Sequence, residues 1–210
     1  MGIIRGVTTN PTILLKDGVT GGLKGIEARA KAIASLIAPY DLSIEVTSNE
    51  PEEMLHQAQL FAGWADNIVV KITVHGPNGE LDNLEVAHRL ETEYGIRINV
   101  TAMMSAQQAF VAALTGVTYV SIFAGRVNNM GYNVCSEIGK LRLLLDQFDL
   151  KSKIIVGSVR EILNVIEWLE AGAHNVTVAP HLLEGMLVHP YTKETVQMFL
   201  RDAAKLTLIS

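Results

Sequence analysis

At 210 residues, with 49% hydrophobic and 19% charged residues, the chain has the length and balance of one globular domain rather than a disordered segment. A formal net charge of -5 gives no basic footprint for nucleic acid, and no apolar run nears the roughly 18 residues of a membrane span. The start, Met1-Gly2-Ile3-Ile4-Arg5, is too short in apolar residues for a signal peptide.

Short β-branched runs alternate with helical patterns along the whole length. Strands are predicted at Ile4–Thr9, Leu42–Thr47, Asn67–Val74, Ile96–Thr101, Thr118–Phe123, Lys153–Gly157 and His174–Ala179. Helices are predicted between them at about 23–38, 52–63, 80–94, 105–115, 134–147 and 159–171, with two more near 181–188 and 192–205. In the stretch 159–171, Ile162, Leu163, Val165, Ile166 and Leu169 form the apolar face. Strand and helix in strict alternation mean βαβ crossovers and a parallel sheet in a single domain, residues 1–210. The expected fold is an α/β barrel of the TIM (β/α)8 type. Seven βα units are countable, and an eighth would fit ahead of Ile4.

Lys71 sits inside Asn67-Ile68-Val69-Val70-Lys71-Ile72-Thr73-Val74, a run that reads as a strand buried on both faces. Burial disfavours a charged ammonium, and an uncharged amine can attack a carbonyl, as Schiff-base lysines do. A lysine that snorkels from a strand end, or one held in an ion pair, fits the same run. Polar residues gather at the ends of the other strands too. Thr8-Thr9-Asn10-Pro11 ends the first, and Ser43, Glu45 and Thr47 alternate on the second. Lys71 and Thr73 share a face on the third, Asn99 and Thr101 on the fourth, Ser121 and Phe123 on the fifth. In a parallel barrel, catalytic groups come from these carboxyl ends.

Arg126 and Arg160 follow strands five and six, and Ser158 stands beside the second of them. Arginine, a hydroxyl and helix N-terminal amides together can hold a phosphate. The stretch Gly18-Val19-Thr20-Gly21-Gly22-Leu23-Lys24-Gly25 lacks P-loop spacing and reads as a flexible loop before a helix. The single cysteine, Cys135, excludes an intramolecular disulfide, reads as a small packed side chain and fits a reducing cytoplasm. The six histidines have no zinc-ligand spacing.

Four segments together resemble the transaldolase family, in its short-chain branch with the fructose-6-phosphate aldolases: Gly6-Val7-Thr8-Thr9-Asn10-Pro11-Thr12, Asn67-Ile68-Val69-Val70-Lys71-Ile72, the run from Ile98 to Ala109 and Tyr119-Val120-Ser121-Ile122-Phe123-Ala124-Gly125-Arg126. His189-Pro190-Tyr191-Thr192 is similar to the family's terminal pattern. The resemblance implies a class I aldolase-type barrel with no cofactor and no metal. It implies Lys71 as the Schiff-base lysine, and Glu45 with Thr101 placing a water for proton transfer. By the same resemblance Asn10, Asn99 and Ser121 bind hydroxyls of the dihydroxyacetone unit, and Arg126, Ser158 and Arg160 bind phosphate. Phe123 and Glu45 stand where the aldolases have tyrosine and glutamine, which points to transaldolase. Thr73 replaces a proline, FAGR replaces FVGR, and the family's first-strand aspartate has no counterpart in these residues. The implied activity is transfer of a dihydroxyacetone unit between sugar phosphates in the pentose phosphate pathway. The alternatives are an aldolase releasing dihydroxyacetone and a sugar-phosphate-binding homologue without turnover. The implied partners are sugar phosphates and further copies of the chain, as a pentamer or decamer, with no nucleic acid and no membrane.

Overall fold

Odd and even residues of the strands divide cleanly, and that division builds the molecule. The computed structural model describes residues 2–207. Seven parallel strands run in chain order in one curled sheet, a TIM-type arrangement. They are β1 (Gly6–Thr8), β2 (Asp41–Glu45), β3 (Ile68–Thr73), β4 (Ile98–Met103), β5 (Tyr119–Ile122), β6 (Lys153–Val156) and β7 (Asn175–Val176). The crossovers are helices: α1 (Pro11–Lys16) and α2 (Gly22–Ile37) follow β1, then α3 (Pro51–Ala62), α4 (Asp82–Thr92) and α5 (Ala106–Leu114) follow β2 to β4 in turn. After β5 come α6 (Ala124–Asn129) and α7 (Val134–Gln147), after β6 comes α8 (Ile162–Glu170), and α9 (Pro180–Leu187) and α10 (Pro190–Thr207) end the chain.

On the face turned to the helices every strand position is aliphatic, as in Leu42 and Ile44 of β2 or Ile68, Val70 and Ile72 of β3, all buried. Burying such a side chain stabilises by about 1.5–3 kcal/mol, so this face anchors the helical layer. Phe61 and Trp64 stack at 4.5 Å beneath α3, and α5 offers only alanines, among them Ala109 and Ala112, so it lies close against the sheet. The opposite face carries Ser43 and Glu45, Lys71 and Thr73, Asn99 and Thr101, and Ser121. A barrel interior is ordinarily filled with branched aliphatic residues. Here it is polar, and only Val69 and Ile155 interrupt it.

The amino-terminal end of that interior is tied by one cluster. Asp41 accepts from Arg97 at 2.6 Å and from the Tyr119 hydroxyl at 2.8 Å, linking β2, β5 and the residue before β4. At the carboxyl end, Thr8 and Thr177 join their hydroxyls at 2.8 Å between the β1 and β7 ends of the sheet. Beyond this contact the two edge strands, β1 and β7, share no ladder pairing among the described residues.

Several expectations are corrected. The first strand is confined to Gly6–Thr8, and the fourth runs to Met103 through a register shift in which Ala102 takes φ +63. The last strand keeps only Asn175–Val176, because the chain turns into α9 at Pro180. Two short helices, α1 and α6, were not expected from hydrophobic period, being only six residues each. The apolar face of α8 is Val165 with Trp168, while Leu163 is exposed and Ile162 packs near Gly185 of α9. The glycine-rich stretch is half helical: Gly22 and Gly25 belong to α2, and a Cβ on Gly25 would meet the Thr20 carbonyl at 1.7 Å. Every described side chain of α10 from Pro190 to Leu206 is exposed.

Burial, and then the Asp41 carboxylate, push the Tyr119 phenol up to about 12. A group that holds its proton more tightly when folded stabilises below its unfolded value near 10 and loses that contribution as pH rises toward 12. An ultraviolet titration should therefore show one tyrosine ionising far later than the others, and Tyr119→Phe should abolish that late step. The step should persist in no variant lacking the Tyr119 hydroxyl.

Candidate active site

The strand ends converge on one amine. Lys71 is 4% exposed in mid-sheet. Its Nζ lies 2.9 Å from Glu45 Oε2 on the adjacent β2 and donates to the Thr9 carbonyl at 2.9 Å. Parallel pairing sets Glu45 directly opposite Lys71, so register alone brings carboxylate and amine together. Snorkelling is thereby excluded and the ion-pair alternative is realised, with the pair inside the barrel rather than on its surface.

Thr9 is a residue that pattern reading did not single out. Its backbone N–H and its hydroxyl both donate to the Ser43 carbonyl, at 2.8 and 2.9 Å. That double hold fixes the carbonyl that receives Lys71. It is 4% exposed at the strand end that the sequence places there, and its partners across the sheet come only from the packing. Next in the chain, Asn10 gives its Oδ1 to the Ile13 N–H as the cap of α1. The amide nitrogen is the group it has left to present.

One layer below, Asn99 donates through Nδ2 to Ser43 Oγ at 3.2 Å and accepts at Oδ1 from Ser121 at 2.6 Å. All three are buried. Thr101 stands next to Thr73 across β3 and β4, just before the strained Ala102. Its Oγ1 is buried and meets no partner among the described residues. A left-handed non-glycine residue costs on the order of 1–2 kcal/mol, and such strain collects at functional sites. Thr73 and Thr47, read from alternation as members of the set, are engaged elsewhere. Thr73 donates to the His75 carbonyl and receives Asn83 Nδ2, while Thr47 is exposed and donates to Gln57.

Phe123, half-buried, caps α6, with the Arg126 guanidinium 5.1 Å from its ring centroid. Gly125 is the hinge of this corner. A Cβ there would lie 1.7 Å from the Ser158 carbonyl, so only glycine lets α6 approach the end of β6. Ser158 itself has φ +66. That contact brings the residue before Arg126 against Ser158, and Arg126 and Arg160 are both exposed. Among the described residues no group of His, Cys, Asp and Glu could hold a metal ion, and no helix is long and apolar enough to cross a membrane.

Comparison with known proteins identifies the family. The family model described as Transaldolase/Fructose-6-phosphate aldolase covers residues 1–209. The probable transaldolase 2 of Listeria monocytogenes is 38% identical over 202 residues, 96% of this chain and 87% of that protein. The probable transaldolase of Brucella ovis is 36% identical over 205 residues, 98% of this chain and 89% of that one. Among solved structures, a mandelate oxidase variant with 2-hydroxy-phenylacetamide aligns at a TM-score of 0.52 with 12% identity. It covers 71% of this chain and 51% of its own, so this chain spans about half that enzyme's length, and the likeness is one of fold alone. With a buried strand lysine paired to a carboxylate at the sheet's carboxyl end, and with relatives above 30% identity along nearly its whole length, the chain belongs to the transaldolase/fructose-6-phosphate aldolase family.

Proposed function

We propose that the chain is a transaldolase, moving a dihydroxyacetone unit from a ketose phosphate such as sedoheptulose 7-phosphate or fructose 6-phosphate to an aldose phosphate. The observation that carries this reading is the Lys71 amine, held inside the sheet 2.9 Å from Glu45. Lys71 passes a proton to Glu45, the freed amine attacks the donor's C2 carbonyl, and return of that proton to the carbinol oxygen expels water and leaves a protonated imine. The C4 hydroxyl gives up its proton and the C3–C4 bond breaks. Its electron pair moves into the C2–C3 bond, giving an enamine, and the shortened aldose leaves. The enamine carbon then attacks the acceptor aldehyde, whose oxygen takes a proton, and water releases the new ketose. Glu45 is the carboxylate within reach of these protons, and the orphaned Thr101 hydroxyl is placed to hold a water with it.

Asn10, Asn99 and Ser121 bind hydroxyls of the three-carbon unit in this reading. Arg126, Ser158 and Arg160 hold the phosphate of donor and acceptor in turn. Phe123 supplies no hydroxyl that would help protonate the enamine, which favours transfer over release of dihydroxyacetone. The resemblance gives an acid–base role to an aspartate on a further strand. Such a strand between β7 and β1 would part the Thr8–Thr177 pair, and turnover with and without an added strand measures its contribution. The setting that fits is the pentose phosphate pathway in the cytoplasm.

We also propose that the chain assembles with copies of itself. On α10, Val196, Phe199, Leu200 and Leu206 line one side at helical spacing and are exposed. Most helical stability in proteins comes from packing such an apolar stripe against a partner. Light scattering should give a mass several times that of the chain, and Phe199→Glu with Leu200→Glu should lower it. A monomer before substitution overturns the assembly.

Borohydride added with fructose 6-phosphate should fix a sugar fragment on the peptide that contains Lys71, and Lys71→Arg should abolish both labelling and turnover. Labelling of another lysine overturns the assignment. The same mixture without acceptor aldehyde separates the two family activities, since steady release of free dihydroxyacetone marks the aldolase.

Arg126→Ala should raise the Michaelis constant for phosphorylated substrates at least about tenfold, the loss of one charge-assisted contact of roughly 1.5–3 kcal/mol. Reactions of unphosphorylated dihydroxyacetone should change little. Equal losses for both substrate types count against the phosphate assignment.

A further inference from the structure

Thr73 and Thr101 are paired in register on the interior face of β3 and β4, yet their hydroxyls do not meet. Neighbouring strands stand about 4.8 Å apart, and threonines side by side across such a gap can bond through their hydroxyls. Here the Thr73 hydroxyl is engaged on the other side. It donates to the His75 carbonyl at 3.0 Å and accepts from Asn83 Nδ2 at 2.9 Å. Asn83 Nδ2 also donates to the Thr73 carbonyl at 3.0 Å. Both directions are fixed, because a carbonyl oxygen only accepts. Asn83 therefore presents its NH2 group, and the Thr73 proton goes to His75. Asn83 is 1% exposed in the first turn of α4 and has no role in the chemistry above.

We propose that Asn83 is a positioning residue, which keeps the Thr73 hydroxyl off Thr101 and so leaves Thr101 Oγ1 open for the water it holds with Glu45. Rotation about the first side-chain torsion moves a threonine hydroxyl between staggered positions. Without Asn83, the Thr73 hydroxyl keeps only the His75 carbonyl, in an exposed residue where water competes for the same acceptor. The buried Thr101 Oγ1 beside it has no other partner among the described residues and becomes the better one. A Thr73–Thr101 bond would then occupy the site of the water. The inference rests on the reading of Thr101 as the residue that holds that water.

The test combines Asn83→Ala and Thr73→Val in the full chain, read by turnover of fructose 6-phosphate with an aldose phosphate acceptor. Asn83→Ala should lower kcat by about tenfold, the scale of one net hydrogen bond, with little change in KM. Thr73→Val, which removes the hydroxyl and keeps the shape, should stay close to the unsubstituted chain. Adding Thr73→Val to Asn83→Ala should restore kcat, whereas damage to packing or to the loop would leave the two losses additive. A crystal structure of the Asn83→Ala chain reads the same point without turnover: Thr73 Oγ1 should lie within hydrogen-bonding distance of Thr101 Oγ1. Absence of rescue, a comparable loss in Thr73→Val alone, or a Thr73 hydroxyl still on the His75 carbonyl in that crystal overturns the inference while leaving the transaldolase reading intact. Full turnover by Thr101→Val overturns the water-holding reading and this inference with it, and borohydride trapping at Lys71 then reports separately on the imine. Should Asn83→Ala not fold, Asn83→Leu, which keeps the branched shape without a donor, takes its place.

Discussion

The Lys71–Glu45 pair is the constraint around which the rest is arranged. Two opposite charges, 2.9 Å apart and largely removed from water, are tolerated only where further polar groups complete their hydrogen bonding. Removing one partner of such a pair leaves a buried charge and costs about 3–5 kcal/mol. The molecule meets this demand with backbone as well as side chains. The Thr9 carbonyl takes one ammonium proton, and Ser43 holds Thr9 by its carbonyl while holding Asn99 by its hydroxyl. Support for the amine is therefore continuous from β1 through β2 to β4 and β5.

A polar interior requires that the hydrophobic driving force come from elsewhere. It comes from the outer face of the sheet, where alternate strand residues are aliphatic and buried beneath the helices. The period of two along a strand separates these tasks without compromise. The strand that carries Lys71 also carries Val70 and Ile72, both wholly buried on the opposite side. At the amino-terminal end the interior is plugged by Asp41, Arg97 and Tyr119, so the polar column opens toward the carboxyl ends, where Lys71 and Glu45 lie.

The corner at Gly125 and Ser158 depends on a different device, the close approach of two backbones. Gly125 lets the start of α6 touch the turn after β6, and Ser158 adopts a left-handed conformation there. The bulge at Ala102 plays a similar part on β4, fitting an extra residue opposite β5 just after Thr101. Both features put backbone strain next to groups with open hydrogen-bonding capacity. Strain of this kind persists only when the surrounding packing over-determines it.

The sequence by itself determined the parallel α/β order, the single lysine in an apolar strand and the polar residues at strand ends, because these follow from short-range period and composition. Glu45, Asn99, Thr101 and Ser121 were legible for the same reason, each sharing a parity with an interior neighbour two residues away. The tertiary structure alone decided that Thr9 would hold Lys71, 62 residues distant, and that Thr8 would meet Thr177, 169 residues distant. It also decided that Thr47 and Thr73 would turn to loops, and that α8 would bury Val165 and Trp168 in place of its wider apolar stripe. Periodicity reports which side of an element a residue occupies. Partners across the barrel depend on register, bulges and the distance of approach between elements, which are settled only when all the strands pack together.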